Sequence, residues 1–256
     1  MSPSTIALLH LAPEPGEIER NLHALDTAVR DAARRGAVLA LSPELALSGY
    51  GFRDRIGTAW VERDQAALLR RVSGLAREAG LFLALGLPLA EGGALYNGLI
   101  VFAPDGDECG RHRKINVLRV GCESWSMPGD RPTVLTLEGL GRVGLFICAD
   151  MYSERLVAET AGLGCDLLLS AAAWAPGDHG PNGEWERASQ AAGRPVLVCN
   201  RTGRDVLDFA GARSVLAVDG RLANMHASPE AATVLVDWQS ATRRLDNWRV
   251  VVGRAW

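Results

Sequence analysis

Three side chains of this sequence could between them hydrolyse an acyl compound: Glu44, Lys114 and Cys148. Cys148 closes the apolar run "RVGLFIC" and is followed at once by Ala149 and Asp150. A cysteine so placed is either a buried thiol packing as a small hydrophobe or a nucleophile mounted at the end of a strand. A thiol that attacks an acyl carbon must lose its proton, and the tetrahedral oxyanion that follows must be stabilised. A carboxylate can take the proton, and a cation can hold the oxyanion. Glu44 stands in "SPELALSGY", directly after the apolar "AVLAL", and Lys114 stands in "RHRKINV". Each has an ordinary alternative. A glutamate after a strand can be a solvated helix cap, and a lysine on a hairpin can face water.

The elements that must position these residues follow from periodicity. Residues 5–11 read as a strand, and Ile18, Leu22, Leu25, Ala28, Val29 and Ala32 recur at helical spacing behind it. "AVLALSPE" reads as a buried strand running into a loop, residues 60–80 as an amphipathic helix and "LFLALGLPL" as the next buried strand. This strand–helix alternation predicts a layered α/β sheet. "ALYNGLIVFAPDGDECGRHRKINV" then predicts a hairpin turning at Asp105–Gly106, with Lys114 on its second arm. Further on come strands at 143–147 and 166–170, helices at 154–163 and 184–192, and the strand "PVLVCN". "AGARSVLAVDGRLA" and "ATVLVDW" read as hairpin strands, followed by a tail rich in Arg and Trp. With no repeat and no linker, residues 1–256 read as one domain, helices outside and strands inside.

Bulk properties narrow the function. A formal net charge of -3 without a block of like charges gives no footprint for nucleic acid and no polybasic membrane patch. The most hydrophobic window, "LFLALGLPLA", is half a membrane span, and the first residues lack the basic n-region of a signal peptide. Cys109, Cys122, Cys148, Cys165 and Cys199 are odd in number and scattered, as reduced thiols of a cytoplasmic protein would be. Gly139, Gly141 and Gly144 match a dinucleotide fingerprint, but a strand rather than a helix follows them, so a turn is expected. Cys109, His112 and Cys122 lack the paired spacing of a zinc site. No cofactor and no metal is expected.

Taken together, order, spacing and flanks resemble the nitrilase superfamily of carbon–nitrogen hydrolases. The family places its glutamate in P-E-x-x-x-x-G-Y, its lysine in R-K after a hairpin and its cysteine in I-C-x-D after a strand. "PELALSGY", "HRKINV" and "FICADMY" occur in that order, and "NGLIVFAPDGD", "ESWSMPGD", "GCDLLLSAAAW", "CNRTG" and "FAGARSVLAVDG" extend the likeness over nearly the whole chain. The resemblance implies an αββα four-layer sandwich, two packed mixed sheets with helices outside, in a homodimer or larger homo-oligomer. It implies Glu44 as general base, Cys148 as thioester-forming nucleophile and Lys114 as oxyanion partner, with the backbone N–H of Ala149 as a second donor. Glu123 matches the family's second glutamate, and Tyr152 and Trp174 would line the substrate pocket. The implied activity is a thiol amidohydrolase acting on a small linear amide or carbamoyl compound. The competing readings are a nitrilase, an acyltransferase using the same thioester, and a non-catalytic binding protein that keeps the fold. The loops "GYGFRDRIG" and "WAPGDHGPNGEW" would set specificity.

Overall fold

A computed structural model describes residues 3–118, 121–177 and 180–252. The chain runs β1 (Ser4–His10), α1 (Ile18–Arg34), β2 (Ala37–Leu41), α2 (Phe52–Ile56), α3 (Ala59–Ala79), β3 (Phe82–Glu91), β4 (Ala94–Phe102) and β5 (Glu108–Arg113). It continues through β6 (Thr133–Leu137), β7 (Gly141–Ile147), α4 (Glu154–Gly162), β8 (Leu167–Ala172), α5 (Glu184–Ala192) and β9 (Val196–Asn200). The last elements are β10 (Arg213–Val218), β11 (Arg221–Ala227), β12 (Ala232–Gln239) and β13 (Arg244–Val252).

Two mixed sheets result. The first orders its strands β13-β12-β1-β2-β3-β4-β5, the second β11-β10-β9-β8-β7-β6. Because successive side chains of a strand point to opposite faces, β1 serves two cores at once. Ile6 and Leu8 face the second sheet and join Leu145, Leu169 and Val198, whereas Ala7 and Leu9 face outward onto Leu25 and Val29 of α1 and Val72 of α3. Helices α4 and α5 pack together over the second sheet, α5 against β9 and β10. The layers are therefore helix, sheet, sheet, helix, as the resemblance implied.

Four elements depart from the sequence reading. The Arg- and Trp-rich tail forms β13, the edge strand of the first sheet, paired antiparallel with β12. Its alternating exposure mixes Arg244, Arg249 and Val250 on the outside with Leu245 and Trp248 inside, which hides a strand from a search for apolar runs. Strand β6, equally amphipathic, was not expected, and "GYGFRDRIG" contains the short helix α2. Although "ATVLVDW" is close in sequence to the β10–β11 hairpin, it crosses to the first sheet and pairs with β1. Asp178 and His179 of the second expected specificity loop, and tail residues 253–256, lie outside the described residues.

Candidate active site

The first sheet delivers two of the residues through turns that lie unusually close to their neighbours. Past the end of β2, Ser42 Oγ accepts from Gly86 N at 2.9 Å, and Ala46 N donates to Gly86 O at 2.8 Å. These bonds pull the turn carrying Glu44 against β3. A Cβ on Gly86 would stand 2.4 Å from the Pro43 carbonyl oxygen and 2.9 Å from Glu44 Cα, so only glycine fits there. Lys114 is the residue after β5; its N–H donates to Asn97 O at 2.8 Å and its carbonyl accepts from Gly129 N at 2.7 Å. A Cβ on Gly129 would sit 2.2 Å from the Arg113 carbonyl oxygen.

These turns bring the charged groups together. Lys114 Nζ donates to Glu44 Oε1 at 2.8 Å and to Glu123 Oε1 at 2.6 Å. Asn97 Nδ2 donates to the same two oxygens, at 2.7 Å each. The outer oxygens are held by backbone: Ala173 N donates to Glu44 Oε2 at 2.8 Å and Leu118 N to Glu123 Oε2 at 3.1 Å. Glu44 and Lys114 are wholly buried and Glu123 nearly so, which rules out the solvated-cap and water-facing alternatives. Burial alone would strip the proton from Lys114, but Glu44 and Glu123 outweigh it and hold the ammonium charged well above the ordinary lysine range. Burial pushes the Glu123 carboxyl upward, and the Lys114 charge only partly offsets it.

The second sheet supplies Cys148. Strand β7 ends at Ile147, and a short 3-10 helix, Cys148–Tyr152, begins at once. Cys148 itself adopts φ 45°, the left-handed region that costs an L residue roughly 1–2 kcal/mol. Asp150 over-determines this turn. Its Oδ2 accepts from Ile147 N at 2.9 Å and contacts His112 Nε2 at 2.9 Å, while Oδ1 accepts from Ile115 N at 2.9 Å and Asn116 N at 2.8 Å. Asn116 Nδ2 also donates to Ala149 O at 2.6 Å. One buried carboxylate thus ties the cysteine turn to the backbone directly after Lys114. Burial opposes its charge, yet His112 and the backbone N–H groups prevail and hold its carboxyl below the usual range. The thiol is buried within reach of the Glu44, Lys114 and Glu123 charges, so carboxylate, ammonium and sulfur share one centre. Burial and then the Glu44 charge push that thiol well above the ordinary range despite Lys114. It is a neutral thiol at rest. The first N–H groups of the 3-10 helix, Ala149 among them, have no partner within their own helix.

Aromatic side chains surround this centre. Trp174 is buried, with its ring centroid 4.7 Å from that of Tyr152 and 5.5 Å from that of Trp185. Asn200 fixes its backbone on both sides, accepting from Trp174 N and donating to Trp174 O at 3.0 Å each. Tyr152 lies further out and is half-exposed. On the other side, Tyr50 is stacked edge-on to Phe209 at 6.2 Å, and burial and then the Glu44 charge push its hydroxyl above the phenol range. Asp205, ion-paired with the buried Arg201, accepts from Tyr50 N at 2.8 Å and Gly51 N at 2.9 Å.

The sequence reading gave no role to Tyr50 or Asp150, although both stand in its motifs, nor to Asn97, Asn200 or Asp205. Asn97 had a usable signal, a polar residue inside the apolar "ALYNGLIVF". His112, weighed as a metal ligand, is engaged through both ring nitrogens, with Asp150 and with Thr133 Oγ1 at 3.2 Å. Gly139 and Gly141 lie in left-handed backbone at the β6–β7 turn, as expected of a turn rather than a nucleotide loop. Among the described residues no helix is long and apolar enough to cross a membrane.

Comparison with known proteins completes this picture. The carbon-nitrogen hydrolase family model matches residues 5–246. The aliphatic nitrilase of Sinorhizobium fredii (strain HH103) is 30% identical over 184 residues, 64% of this chain and 58% of its own. Omega-amidase NIT2 of Mus musculus is 32% identical over 181 residues, 66% of this chain and 63% of its own. The match thus spans less than two thirds of either relative. Among solved structures, the amidase from Nesterenkonia sp. AN1 superposes with a TM-score of 0.84 at 26% identity, covering 93% of this chain and 94% of that one. A variant of it carrying the acetamide moiety of fluoroacetamide on its active-site cysteine has a TM-score of 0.85 at 25% identity, covering 94% and 92%.

Proposed function

This chain belongs to the carbon–nitrogen hydrolase family, and from that premise we propose that it is a thiol amidohydrolase cleaving a small linear amide or carbamoyl compound. The observation that carries the reading is one wholly buried cluster in which Lys114 Nζ donates to Glu44 Oε1 and the Glu44 and Lys114 charges both act on the buried Cys148 thiol. Glu44 Oε1 already accepts two hydrogen bonds, so the free lone pair for a proton is on Oε2. In this mechanism Oε2 takes the thiol proton as Sγ attacks the amide carbon. The oxyanion is held by the Lys114 N–H not used by the glutamates and by Ala149 N–H. Collapse breaks the C–N bond, the departing nitrogen takes the proton from Glu44, and a thioester remains. Glu44 then takes a proton from water, whose oxygen attacks the thioester; collapse breaks the C–S bond, Glu44 returns that proton to the departing sulfur, and the acid product leaves a neutral Cys148 thiol.

A neutral resting thiol suits this scheme, because proton transfer and attack can proceed together without a standing buried charge. Glu123 positions Lys114, and Tyr152 and Trp174 wall the acyl pocket. No cofactor or metal enters any step. In the same reading the protein works in the cytoplasm, where its five free cysteines stay reduced, and assembles with further copies as family members usually do. The test is a panel of short-chain amides, carbamoyl compounds and nitriles with ammonia as readout, plus intact mass of the protein during turnover. Amide-dependent ammonia and an acyl adduct mapped to Cys148 are expected. Ammonia from nitriles alone would favour the nitrilase reading, and an adduct on Cys122 or Cys199 would overturn the nucleophile.

A further inference from the structure

We propose that Asn97 is a positioning residue that keeps both glutamates ionised and directs the base function of Glu44 to Oε2, an inference that rests on the reading of Glu44 as base. Asn97 Nδ2 carries two hydrogens and spends one on each glutamate, at 2.7 Å to Oε1 in both cases. With Lys114 donating to the same pair of oxygens, each Oε1 accepts twice. Two buried carboxylates sharing one ammonium carry a net negative charge, and like charges so close drive one of them to take a proton. A second, uncharged donor bridging both oxygens opposes that protonation without adding a cation that would compete with Lys114.

The orientation of the amide is fixed by the same contacts. Turned over, its oxygen would face two carboxylate oxygens at hydrogen-bond distance. In the orientation present, Asn97 Oδ1 is buried with no hydrogen-bond partner, a cost a side chain selected for packing would not carry. The backbone of Asn97 is wired independently, its N–H to Ser126 Oγ at 2.9 Å and its carbonyl to Lys114 N at 2.8 Å. Replacing the side chain therefore leaves the β4–β5 pairing in place. The other ionisable groups facing the glutamate pair are Lys114, the Cys148 thiol, the Tyr50 hydroxyl and the Arg201 guanidinium.

The test reads the base directly, without substrate. Cys148 alkylation by iodoacetamide is followed against pH, by peptide mass, for the wild type, Asn97→Leu and Asn97→Ala, with thermal melts alongside. Both variants remove the bridging donor without adding a charge, Asn97→Leu keeping the volume and Asn97→Ala releasing it, so should Asn97→Leu fail to fold, Asn97→Ala carries the measurement. The acid limb of the alkylation profile is expected to move up by about one pH unit or more, a roughly fivefold slower reaction at the wild-type midpoint and about tenfold well below it. For amide turnover, kcat should fall with KM nearly constant. A merely structural Asn97 would lower the melting temperature and leave the acid limb where it was, and that result overturns the proposal. An unmoved limb refutes the role of Asn97, whereas a wild type that turns over no amide refutes the functional reading.

Discussion

The first sheet presents Glu44 and Lys114 in a cluster where each oxygen of both glutamates is hydrogen-bonded, while the second presents Cys148 from strained backbone with a neutral thiol. One side is finished before substrate arrives; the other is held in tension by its surroundings. Charge can be fixed in advance because donors around it lose nothing by being rigid, which is what stabilising a developing oxyanion requires. A nucleophile has to project from its strand toward a carbon, and a left-handed residue at the strand end does that at a cost in backbone strain. Asp150 joins the two sides, since it bonds the backbone before Cys148 with one oxygen and the backbone after Lys114 with the other.

The strongest way to break this comparison is to remove the reactive atom. Cys148→Ala should lower kcat by about four orders of magnitude or more and leave the fold intact, since the covalent path is lost while the charge cluster is untouched. Steady-state ammonia release and a thermal melt check both parts; activity within about tenfold of wild type would remove Cys148 from the mechanism. Substitutions on the first-sheet side should behave differently. Lys114→Ala leaves two buried carboxylates without their cation, so it should cost about 3–5 kcal/mol of stability together with the activity. Lys114→Arg keeps the charge, but its planar fork cannot occupy the space of one ammonium between two glutamates, so activity should fall nearly as far. Chemical denaturation separates the outcomes: equal stability of Cys148→Ala and Lys114→Ala would show that the glutamates need no cation.

Cutting the tie between the sides should have an intermediate effect. Asp150→Asn places an amide NH₂ where one oxygen accepted hydrogen bonds, and should lower kcat by about a hundredfold with roughly 2–3 kcal/mol of lost stability. A pH dependence accompanies it. The folded-state carboxyl of Asp150 lies below its ordinary value of 3.8, so the unfolded chain binds its proton first as pH falls. The stability it contributes is complete above that value and is lost as pH drops toward the folded value. Denaturation midpoints between pH 5 and pH 2 should therefore fall less steeply for the variant. A parallel decline in both proteins would show that Asp150 does not hold the turn through its charge.

How much of this was legible in the sequence depended on whether a residue works through its side chain or its surroundings. Glu44, Lys114 and Cys148 each sit in a short motif just past a strand, Glu123 sits in a 3-10 turn between β5 and β6, and the structure places them around one centre. The layered fold followed from apolar runs such as "AVLAL" and "LFLALGLPL", which are buried on both faces. Asn97 interrupts an apolar run and Asp150 closes the I-C-x-D motif, but what each does escaped because their partners are 53 and 35 residues away in the chain. Gly86 and Gly129 escaped for the same reason, since what they make room for is a distant backbone. Strand β13 escaped because an edge strand with charged residues on its open side carries little of the apolar signal that marks a central one.

The smallest expected effect concerns the strain itself, and it compares two glycine substitutions. In regular strand backbone, replacing a buried alanine by glycine loses about 0.5–1 kcal/mol to chain entropy and about 0.8 kcal/mol for the methyl group. Ala171 in β8 is such a site, wholly buried, so Ala171→Gly should destabilise by about 1–2 kcal/mol. At position 148 the same two losses apply between Cys148→Ala and Cys148→Gly, but glycine also escapes the roughly 1–2 kcal/mol cost of left-handed backbone. The terms nearly cancel, so Cys148→Gly should match Cys148→Ala within about 0.5 kcal/mol. Urea denaturation of the three variants decides it. If Cys148→Gly falls below Cys148→Ala by as much as Ala171→Gly falls below wild type, the turn stores no strain. The contrast between the two sheets would then rest on electrostatics alone.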